Sequence, residues 1–287
     1  RSSDLLVNDI IEKLESTGMI LPLVTKTAFP AGMKIPTSSV KPTASWVAEG
    51  ASSDKQKKQV KTSIDFTHFK LRCEIAMTME ASVMALSAFE AKFVENVVEA
   101  MTKAIEDAII NGAWNAAGTA LVGPKGILDE TPAAGQTVEI GATDGVDYDT
   151  LIDAEAALPL AYENGAVWFM TKKTFMAFAG MTDENGQPIA RVNYGISGAP
   201  ERTLLGRAVI LNDYMDSYAS SVEADTVVAF LFNPRDYVLN TNYNMGIQRK
   251  QDWDTEDWLT KAVMAVDGKV VDKNSLVTIV KKAAGDE

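Results

Sequence analysis

The residue types that usually carry chemistry are scarce in this sequence. One histidine, His68, and one cysteine, Cys73, cannot build a disulfide framework, a Cys/His zinc site or a His-rich metal cluster. His68 lies at a break in a strand pattern, where a structural or interface role is favoured over that of a general base. Cys73 falls on the apolar side of the same pattern, which favours a small core residue.

Two charged clusters could each attract an ion. One is acidic and has the hard oxygen ligands that a divalent cation takes: Asp252, Asp254, Glu256 and Asp257. Because Trp253 and Trp258 interleave with it, we favour a solvated loop. The other cluster is basic and could attract phosphate: Lys55, Lys57, Lys58 and Lys61. In an acidic protein, a neighbouring acidic surface is the better partner for these lysines.

Familiar catalytic motifs are missing from the chain. We find no G-x-S-x-G, no G-x-G-x-x-G and no H-E-x-x-H. Gly118 and Gly123 have the spacing of a phosphate-binding loop, but Pro124 stands where the lysine is required. The sequence therefore predicts no catalytic residues, no cofactor and no bound metal.

Composition and charge exclude further classes of protein. The chain has 287 residues, 46% of them hydrophobic and 23% charged, which suits one large or two modest globular domains. Lys and Arg number 27 against 39 Asp and Glu, a net charge of −12, so the phosphate neutralisation that drives nucleic-acid binding has no obvious source. No stretch approaches the ~18–20 continuous apolar residues of a membrane span. We expect neither a dedicated DNA-binding module nor a membrane partner.

The N-terminal part predicts an amphipathic helix followed by an extended arm. Residues 4–16 place Leu6, Ile10 and Leu14 at steps of four, as on one face of a helix. Residues 19–45 contain prolines every six to eight positions with apolar residues between them. Proline at that density excludes a helix and removes N–H donors that a β-ladder needs. Because the segment is also apolar, this arm is expected to lie on another surface.

Residues 60–79 read as one long strand whose alternation changes phase near Thr67 and His68. Such a change indicates a bulge or a change of pairing partner. A strand of this length would span roughly 66 Å, whereas a compact chain of this size is roughly 50 Å across. The strand must therefore bend or project, and we predict a hairpin that projects from the body with the lysine cluster at its tip.

A long helix and a mixed second half follow. A stripe from Phe89 to Ile109, a capping box of Ser87 and Glu90, and a stop at Gly112 predict a helix of about 23 residues. A helix over 149–164 and alternating strands then predict an α/β subdomain of about 100 residues. From residue 225 onward the pattern is nearly all strand, and Asp267–Gly268 between apolar runs predicts a hairpin within a meander.

The order of these segments resembles the major capsid protein of tailed bacteriophages, which has the Hong Kong 97-type fold. The similarity covers essentially the whole chain in the right order. It is carried by the short helix IIEKLES, then WVAEG before the hairpin, KLRCEIAMTMEA after it, EDAIING at the end of the long helix, and later GPKGIL, AVWFMT, NGQPI and LLGRAVILND.

The resemblance implies an α+β fold in five parts. These are an N-terminal arm over 1–45, an extended β-hairpin loop with its return strand over 46–79, a peripheral domain carrying a long spine helix over 80–120, an axial domain over 121–224, and a strand-rich return through the peripheral domain over 225–287. Many members lose an N-terminal scaffolding segment to a maturation protease, and a chain that starts at Arg1 resembles that processed form. The alternatives are a member made without such a segment and a chain whose start was chosen for expression.

The implied function is structural rather than enzymatic. The subunit would self-assemble into the icosahedral or prolate head shell of a virion, built in the cytoplasm of a bacterial host. Its partners would be other copies of itself as pentamers and hexamers, with portal, scaffolding protein and maturation protease during assembly. A decoration protein is a further candidate partner, and packaged double-stranded DNA would be held without specific binding.

The same resemblance assigns inter-subunit contacts to the arm and the hairpin. The candidates are Phe29, Trp46, Lys55, Lys57, Lys58, Lys61, Ile64, Phe66 and Phe69. Since a monomer could not cover the apolar faces among them, we expect the monomer to be an assembly intermediate. We also expect deletion of residues 1–45 to leave soluble protein that does not close into shells.

Some relatives join their subunits by an isopeptide bond from a loop lysine to an asparagine of a neighbour. Lys57 and Lys58 with Asn242 and Asn244 have the required residue types, and Asn240 is a further asparagine in that stretch. Attack requires a neutral lysine, which needs an apolar pocket beside a carboxylate. The polar tip does not suggest such a pocket, so we predict a non-covalent shell.

Two other classes of protein fit parts of the pattern. An encapsulin has the same architecture and encloses a cargo enzyme. A small-molecule-binding or hydrolytic α/β protein would account for the middle of the chain. Closed shells seen by electron microscopy would exclude the latter, and the contents of the particles would separate a phage head from an encapsulin.

Overall fold

The computed structural model describes residues 19–29, 32–37, 46, 62–77, 86–182, 202–241, 246–251 and 258–283. Within these ranges lie three α-helices: α1 (Leu86–Asn111), α2 (Tyr148–Ala157) and α3 (Lys172–Ala179). Short 3-10 turns occupy Leu160–Tyr162, Pro234–Asp236 and Lys273–Ser275. The predicted helix over 4–16, the lysine cluster, the acidic run 252–257 and the asparagines 242 and 244 lie outside the described residues.

The same ranges contain thirteen strands. In chain order they are β1 (Thr25–Thr27), β2 (Met33–Thr37), β3 (Thr62–Phe66), β4 (Phe69–Met77), β5 (Thr137–Ile140), β6 (Val167–Met170), β7 (Thr203–Leu204), β8 (Arg207–Leu211), β9 (Thr226–Phe232), β10 (Tyr237–Thr241), β11 (Gly246–Gln251), β12 (Trp258–Val270) and β13 (Val277–Lys281).

These strands form three sheets in the described part of the chain. The first has the order β1-β10-β12-β11. Strand β4 also belongs to it and pairs with β12 along the edge opposite β11. The second has six strands in the order β5-β13-β9-β6-β8-β7, and the third is a ribbon of β2 and β3 alone. Helices and mixed sheets together confirm the α+β class.

Helix α1 spans 26 residues, about 39 Å at 1.5 Å per residue. It begins at Leu86, one residue before the Ser87 at which the sequence pattern placed the start. Its end agrees with the prediction, because Gly112 takes a φ of +74° and its N–H still bonds to the Ala108 carbonyl at 3.0 Å. A glycine in this left-handed conformation is a common helix stop.

Helix α2 is shorter than predicted. It ends at Ala157, and the chain continues as a 3-10 turn over Leu160–Tyr162 rather than as one helix to residue 164. Pro159 is the cause, since it lacks an N–H and disfavours helical backbone at the preceding residue. Leu158 accordingly has an extended ψ of 122°.

The strands after residue 225 do not form a meander, so that prediction is wrong. Strands β9 and β13 belong to the six-stranded sheet, whereas β10, β11 and β12 belong to the first sheet. The predicted hairpin at Asp267–Gly268 is also absent, because both residues lie inside β12 opposite Asn240 and Leu239. A Cβ at position 268 would lie 2.4 Å from the Tyr237 hydroxyl oxygen. Glycine is needed here for the close approach of that ring, not for a turn.

The six-stranded sheet is buried on both faces and joins the two hydrophobic cores. Phe169, Phe230 and Phe232 pack with α1 and the first sheet. Trp168 and Leu231, which point to the opposite face, pack with α2 and α3. Alternate residues of β6 and β9 therefore supply both cores. In the described ranges, no helix is long and apolar enough to cross a membrane.

Candidate assembly interface

The predicted strand over 60–79 is divided at Thr67 and His68 into β3 and β4. Strand β3 pairs with β2, with Ile64 opposite Ile35. Strand β4 instead pairs with β12, with Phe69 opposite Val266. The phase change in the sequence therefore marks a change of partner, which confirms that prediction. The outgoing strand of the ribbon is β2, which the sequence analysis had placed in the arm.

Two residues of β12 hold the point where the ribbon meets the body. The Asp267 side chain is fully buried, and its Oδ2 accepts a hydrogen bond from the Thr67 N–H at 2.6 Å. Its Oδ1 accepts from the Gly268 N–H at 2.8 Å. The Lys269 ammonium donates to the Asp65 carbonyl and lies 5.9 Å from the centre of the Phe66 ring. Residues 65 to 67, at the end of β3 and just beyond it, are thus all contacted by side chains of β12.

Replacement of Asp267 by alanine is expected to loosen this junction. The Thr67 and Gly268 N–H groups would lose their acceptor, and for the buried Gly268 donor this loss costs about 1–3 kcal/mol. Hydrogen exchange at the amides of Thr67 and Gly268 should become faster. Asp65→Ala is the matched control on the same ribbon, because Asp65 is exposed and contacts Ser63 and Lys34. Unchanged exchange in Asp267→Ala would contradict this role.

The same carboxyl should make stability depend on pH. Burial raises the pKa of Asp267 above its ordinary value of 3.8, against the lowering effects of Thr67, Lys269 and Gly268. Between pH 3.8 and the raised pKa of the folded state, the folded protein binds more protons than the unfolded chain. The free energy of unfolding contributed by this group therefore falls as pH rises. Asp267→Asn should remove that slope in urea titrations between about pH 3.8 and neutrality; an unaltered slope would assign it to other groups.

The arm is anchored to the body through a buried glutamate on α1. The Glu106 Oε1 accepts hydrogen bonds from the Ile20 N–H at 2.7 Å and the Leu21 N–H at 3.1 Å. Its Oε2 accepts from the Tyr214 hydroxyl at 3.2 Å. Burial, with the nearby Glu106 charge, raises the pKa of Tyr214 to about 12. Ile20, Leu21 and Val24 are themselves part of the main core.

The end of the anchored segment is held by a second buried side chain, Asn240. Its Oδ1 accepts from the Phe29 N–H at 2.9 Å, and its Nδ2 donates to the Phe29 carbonyl at 3.2 Å. The backbone of Phe29 is thereby fixed while its ring stays 48% exposed. Because the Asn240 amide is buried and engaged on both atoms, it is not available as the acceptor of an isopeptide bond.

The predicted contact residues divide into three groups. Phe29 and Trp46 are exposed, as an inter-subunit role requires, and Ile64 and Phe69 are half-buried. Phe66 is 4% exposed, so the expectation that a monomer cannot cover it is wrong. The ring is already covered within the chain, with Lys269 above it. The four lysines lie outside the described residues.

An apolar pocket between α1, β4 and the loop after α1 was not predicted. It encloses about 400 Å³. Its wall is formed by Phe69, Leu71, Ile105, Ala108, Trp114 and Val122. Trp114 and Val122 are both substantially exposed at its rim. The sequence signal that could have located this pocket is the tryptophan just beyond the helix stop at Gly112.

A second apolar groove lies where α2 meets the turn between β7 and β8. Ile152, Leu160 and Leu205 expose their side chains there. Leu205 takes a φ of +49°, a conformation that is uncommon for a bulky side chain. The groove is bordered by an ion pair in which Arg207 Nε lies 2.8 Å from Glu155 Oε2. No periodicity in the sequence brings these residues together.

The described residues offer little chemistry. None of them forms a group of three or more His, Cys, Asp or Glu side chains that could hold a metal ion. Burial raises the pKa of the Cys73 thiol, which disfavours the nucleophilic thiolate. Cys73 packs against the main core, as its place in the strand pattern predicts. The features that stand out are apolar surfaces and anchored extended segments.

Several solved structures share this fold. The chain matches the capsid of a native GTA particle with a TM-score of 0.78 and 18% identity, covering 93% of this chain and 91% of that chain. It matches the structure titled Gordonia phage Cozz with a TM-score of 0.67 and 17% identity, covering 93% and 87%. The holo-SrpI encapsulin complex from Synechococcus elongatus PCC 7942 gives 0.62 and 14%, covering 90% and 85%.

The sequence itself matches the phage capsid family over residues 4–281. The chain belongs to that family. It is therefore a structural protein of the virion capsid and not an enzyme, which confirms the resemblance given by its motifs. A search of curated proteins finds no match.

Proposed function

We propose that this chain assembles as pentamers and hexamers into a closed head shell around a phage genome, with Phe29 of its arm and its ribbon contacting neighbouring copies. The observation that carries this proposal is the anchored Phe29. Two buried polar side chains, Glu106 and Asn240, fix the segment that leads to it, while its ring faces solvent. An aromatic side chain held rigidly and left exposed is the kind of anchor that interfaces use.

The proposed division of the chain follows the resemblance with two adjustments. The hairpin loop begins at β2 rather than at residue 46, because β2 is the partner of β3. The axial domain over 121–224 also receives β9 and β13 from the last segment. The peripheral domain then consists of α1 as its spine helix and the first sheet, and the shared core of α1 with Phe230 and Phe232 supports one continuous body.

The proposed partners during assembly are the portal, a scaffolding protein, a maturation protease and a decoration protein. Packaged double-stranded DNA is proposed to be enclosed without specific binding. The net charge of −12 supports this, since a basic surface is what holds DNA at physiological salt.

Electron microscopy of the purified protein tests the proposed function. We expect closed shells or pentameric and hexameric capsomers, and a population that remains as 31.0 kDa monomers at high concentration would overturn the proposal. Particles from the natural host should contain double-stranded DNA. An enzyme cargo in place of DNA would assign the encapsulin function instead.

The shell is expected to be non-covalent. Asn240 is buried and engaged, and the polar sequence around Lys57 and Lys58 does not favour the apolar pocket that their attack on Asn242 or Asn244 would need. Mature particles boiled in SDS under reducing conditions should run as a single band near 31.0 kDa. A ladder of multiples of that mass would show that isopeptide bonds form after all.

A further inference from the structure

We infer that Trp46 of one copy inserts into the pocket between α1, β4 and the loop after α1 of a neighbouring copy. This inference rests on the proposed function, because it requires a neighbour in a shell. It specifies which anchor fills which cavity, where the proposed function states only that the loop lies on another subunit.

The pocket has the size and the lining for an aromatic ring. Its volume of about 400 Å³ falls in the range of ~300–1,000 Å³ typical of sites that bind small organic groups. Phe69, Leu71, Ile105 and Ala108 form an apolar wall, and the Trp114 ring stands at the rim. The side chain of Asp107 also borders the pocket and offers a carboxylate to an indole N–H, which needs an acceptor when it is buried.

Trp46 is an exposed aromatic side chain that a pocket of this kind could cover. Its side chain is fully exposed, although tryptophan is highly buried on average. It lies between β2 and β3 in the chain, on the loop that joins the two strands of the ribbon. Among the residues that the structure describes, neither the ring nor the pocket is covered, and a second copy would cover both at once.

Charge favours the same pairing. The exposed face of α1 that leads to the pocket presents Glu95, Glu99 and Asp107 against Lys103, and Lys70 lines the pocket itself, which gives a net of −1 from three acids and two lysines. Residues 51–61, which follow Trp46 in the sequence, hold four lysines against one aspartate, a net of +3. Opposite potentials guide two surfaces into register as they associate. The positive charge of the loop that carries Trp46 therefore complements the negative charge of α1.

A photocrosslinking amino acid at position 122 tests the contact directly. Val122 is 54% exposed at the rim of the pocket, so the substitution leaves Trp46 and the other lining residues in place. After irradiation of assembled shells, mass spectrometry should place the adduct on the neighbour at Trp46 or within a few residues of it. Shells that form with the adduct elsewhere, or with none, would overturn this inference and leave the proposed function intact.

Assembly of variants supplies a second readout. Trp46→Ala should raise the subunit concentration needed for half-maximal shell formation by about tenfold or more, as the loss of an aromatic hot spot does. Trp46→Phe should change it far less. Val122→Asp should match Trp46→Ala, with Val122→Thr as its control of similar shape, and the double variant should be little worse than either single one.

The outcomes separate the two levels of the proposal. Normal assembly of Trp46→Ala, or fully additive effects of Trp46→Ala and Val122→Asp, would overturn the contact alone. Failure of the unmodified protein to form shells or capsomers under any condition would overturn the proposed function and the contact together.

Discussion

Removal of residues 1–29 is expected to prevent folding, whereas removal of residues 1–18 is expected to leave a folded body. The longer deletion takes Ile20, Leu21 and Val24 out of the main core and removes β1 from the edge of the first sheet. Burial of each such side chain is worth about 1.5–3 kcal/mol. The sum is roughly 5–9 kcal/mol, which is comparable with the whole stability of a typical domain, about 5–15 kcal/mol.

The longer deletion also leaves a charge without its partners. Glu106 is 4% exposed, and two of its donors are the Ile20 and Leu21 N–H groups. A buried carboxylate that loses its hydrogen bonds destabilises the fold further. The shorter deletion keeps both donors, β1 and the three core side chains.

Circular dichroism and urea titration of the two truncated proteins measure this difference. The protein lacking residues 1–18 should unfold cooperatively, and the protein lacking residues 1–29 should be insoluble or show no transition. A cooperative transition in the longer deletion would show that the arm segment is dispensable. The earlier expectation, that deletion of 1–45 leaves soluble protein, is corrected by the same contacts, since residues 19–29 belong to the body.

Replacement of Lys281 by methionine is expected to destabilise the body by on the order of 3 kcal/mol, because three hydrogen bonds from a charged donor to backbone carbonyls are lost. The Lys281 side chain is completely buried. Its ammonium donates to three backbone carbonyls, those of Gly141 at 2.7 Å, Ala142 at 3.0 Å and Asp144 at 2.7 Å. Methionine has a similar length but no donor, so the turn after β5 would lose the ammonium group that joins its three carbonyls.

The next residue provides a matched control. Lys282 pairs with Asp225 at 2.8 Å and with Glu139 at 3.2 Å near the surface, where ion pairs contribute little. Lys282→Met should therefore move the urea midpoint far less than Lys281→Met. Equal midpoints for the two variants would show that the three carbonyls can find other donors, and that Lys281 does not organise this turn.

Local signals in the sequence determined several features of this protein correctly. The change of alternation at Thr67 and His68 predicted the junction of β3 and β4, and Gly112 predicted the end of α1. The scarcity of histidine and cysteine predicted a structural role. The motifs around the hairpin and the long helix identified the family. Each signal depends on residues close together in the chain, where backbone conformation and periodicity leave a direct trace.

Only the tertiary structure decided the features that depend on distant residues. Asp267 and Gly268 resemble a turn, yet Tyr237 packs against the glycine and the aspartate accepts a bond from Thr67, 200 residues away. The last strands divide between two sheets because their pairing partners come from earlier parts of the chain: β9 and β13 pair with β6 and β5, and β10 and β12 pair with β1 and β4. Phe66 is buried, and the pocket beside Trp114 exists, for the same reason. Burial depends on which side chains meet in space, and that arrangement leaves no period in the sequence.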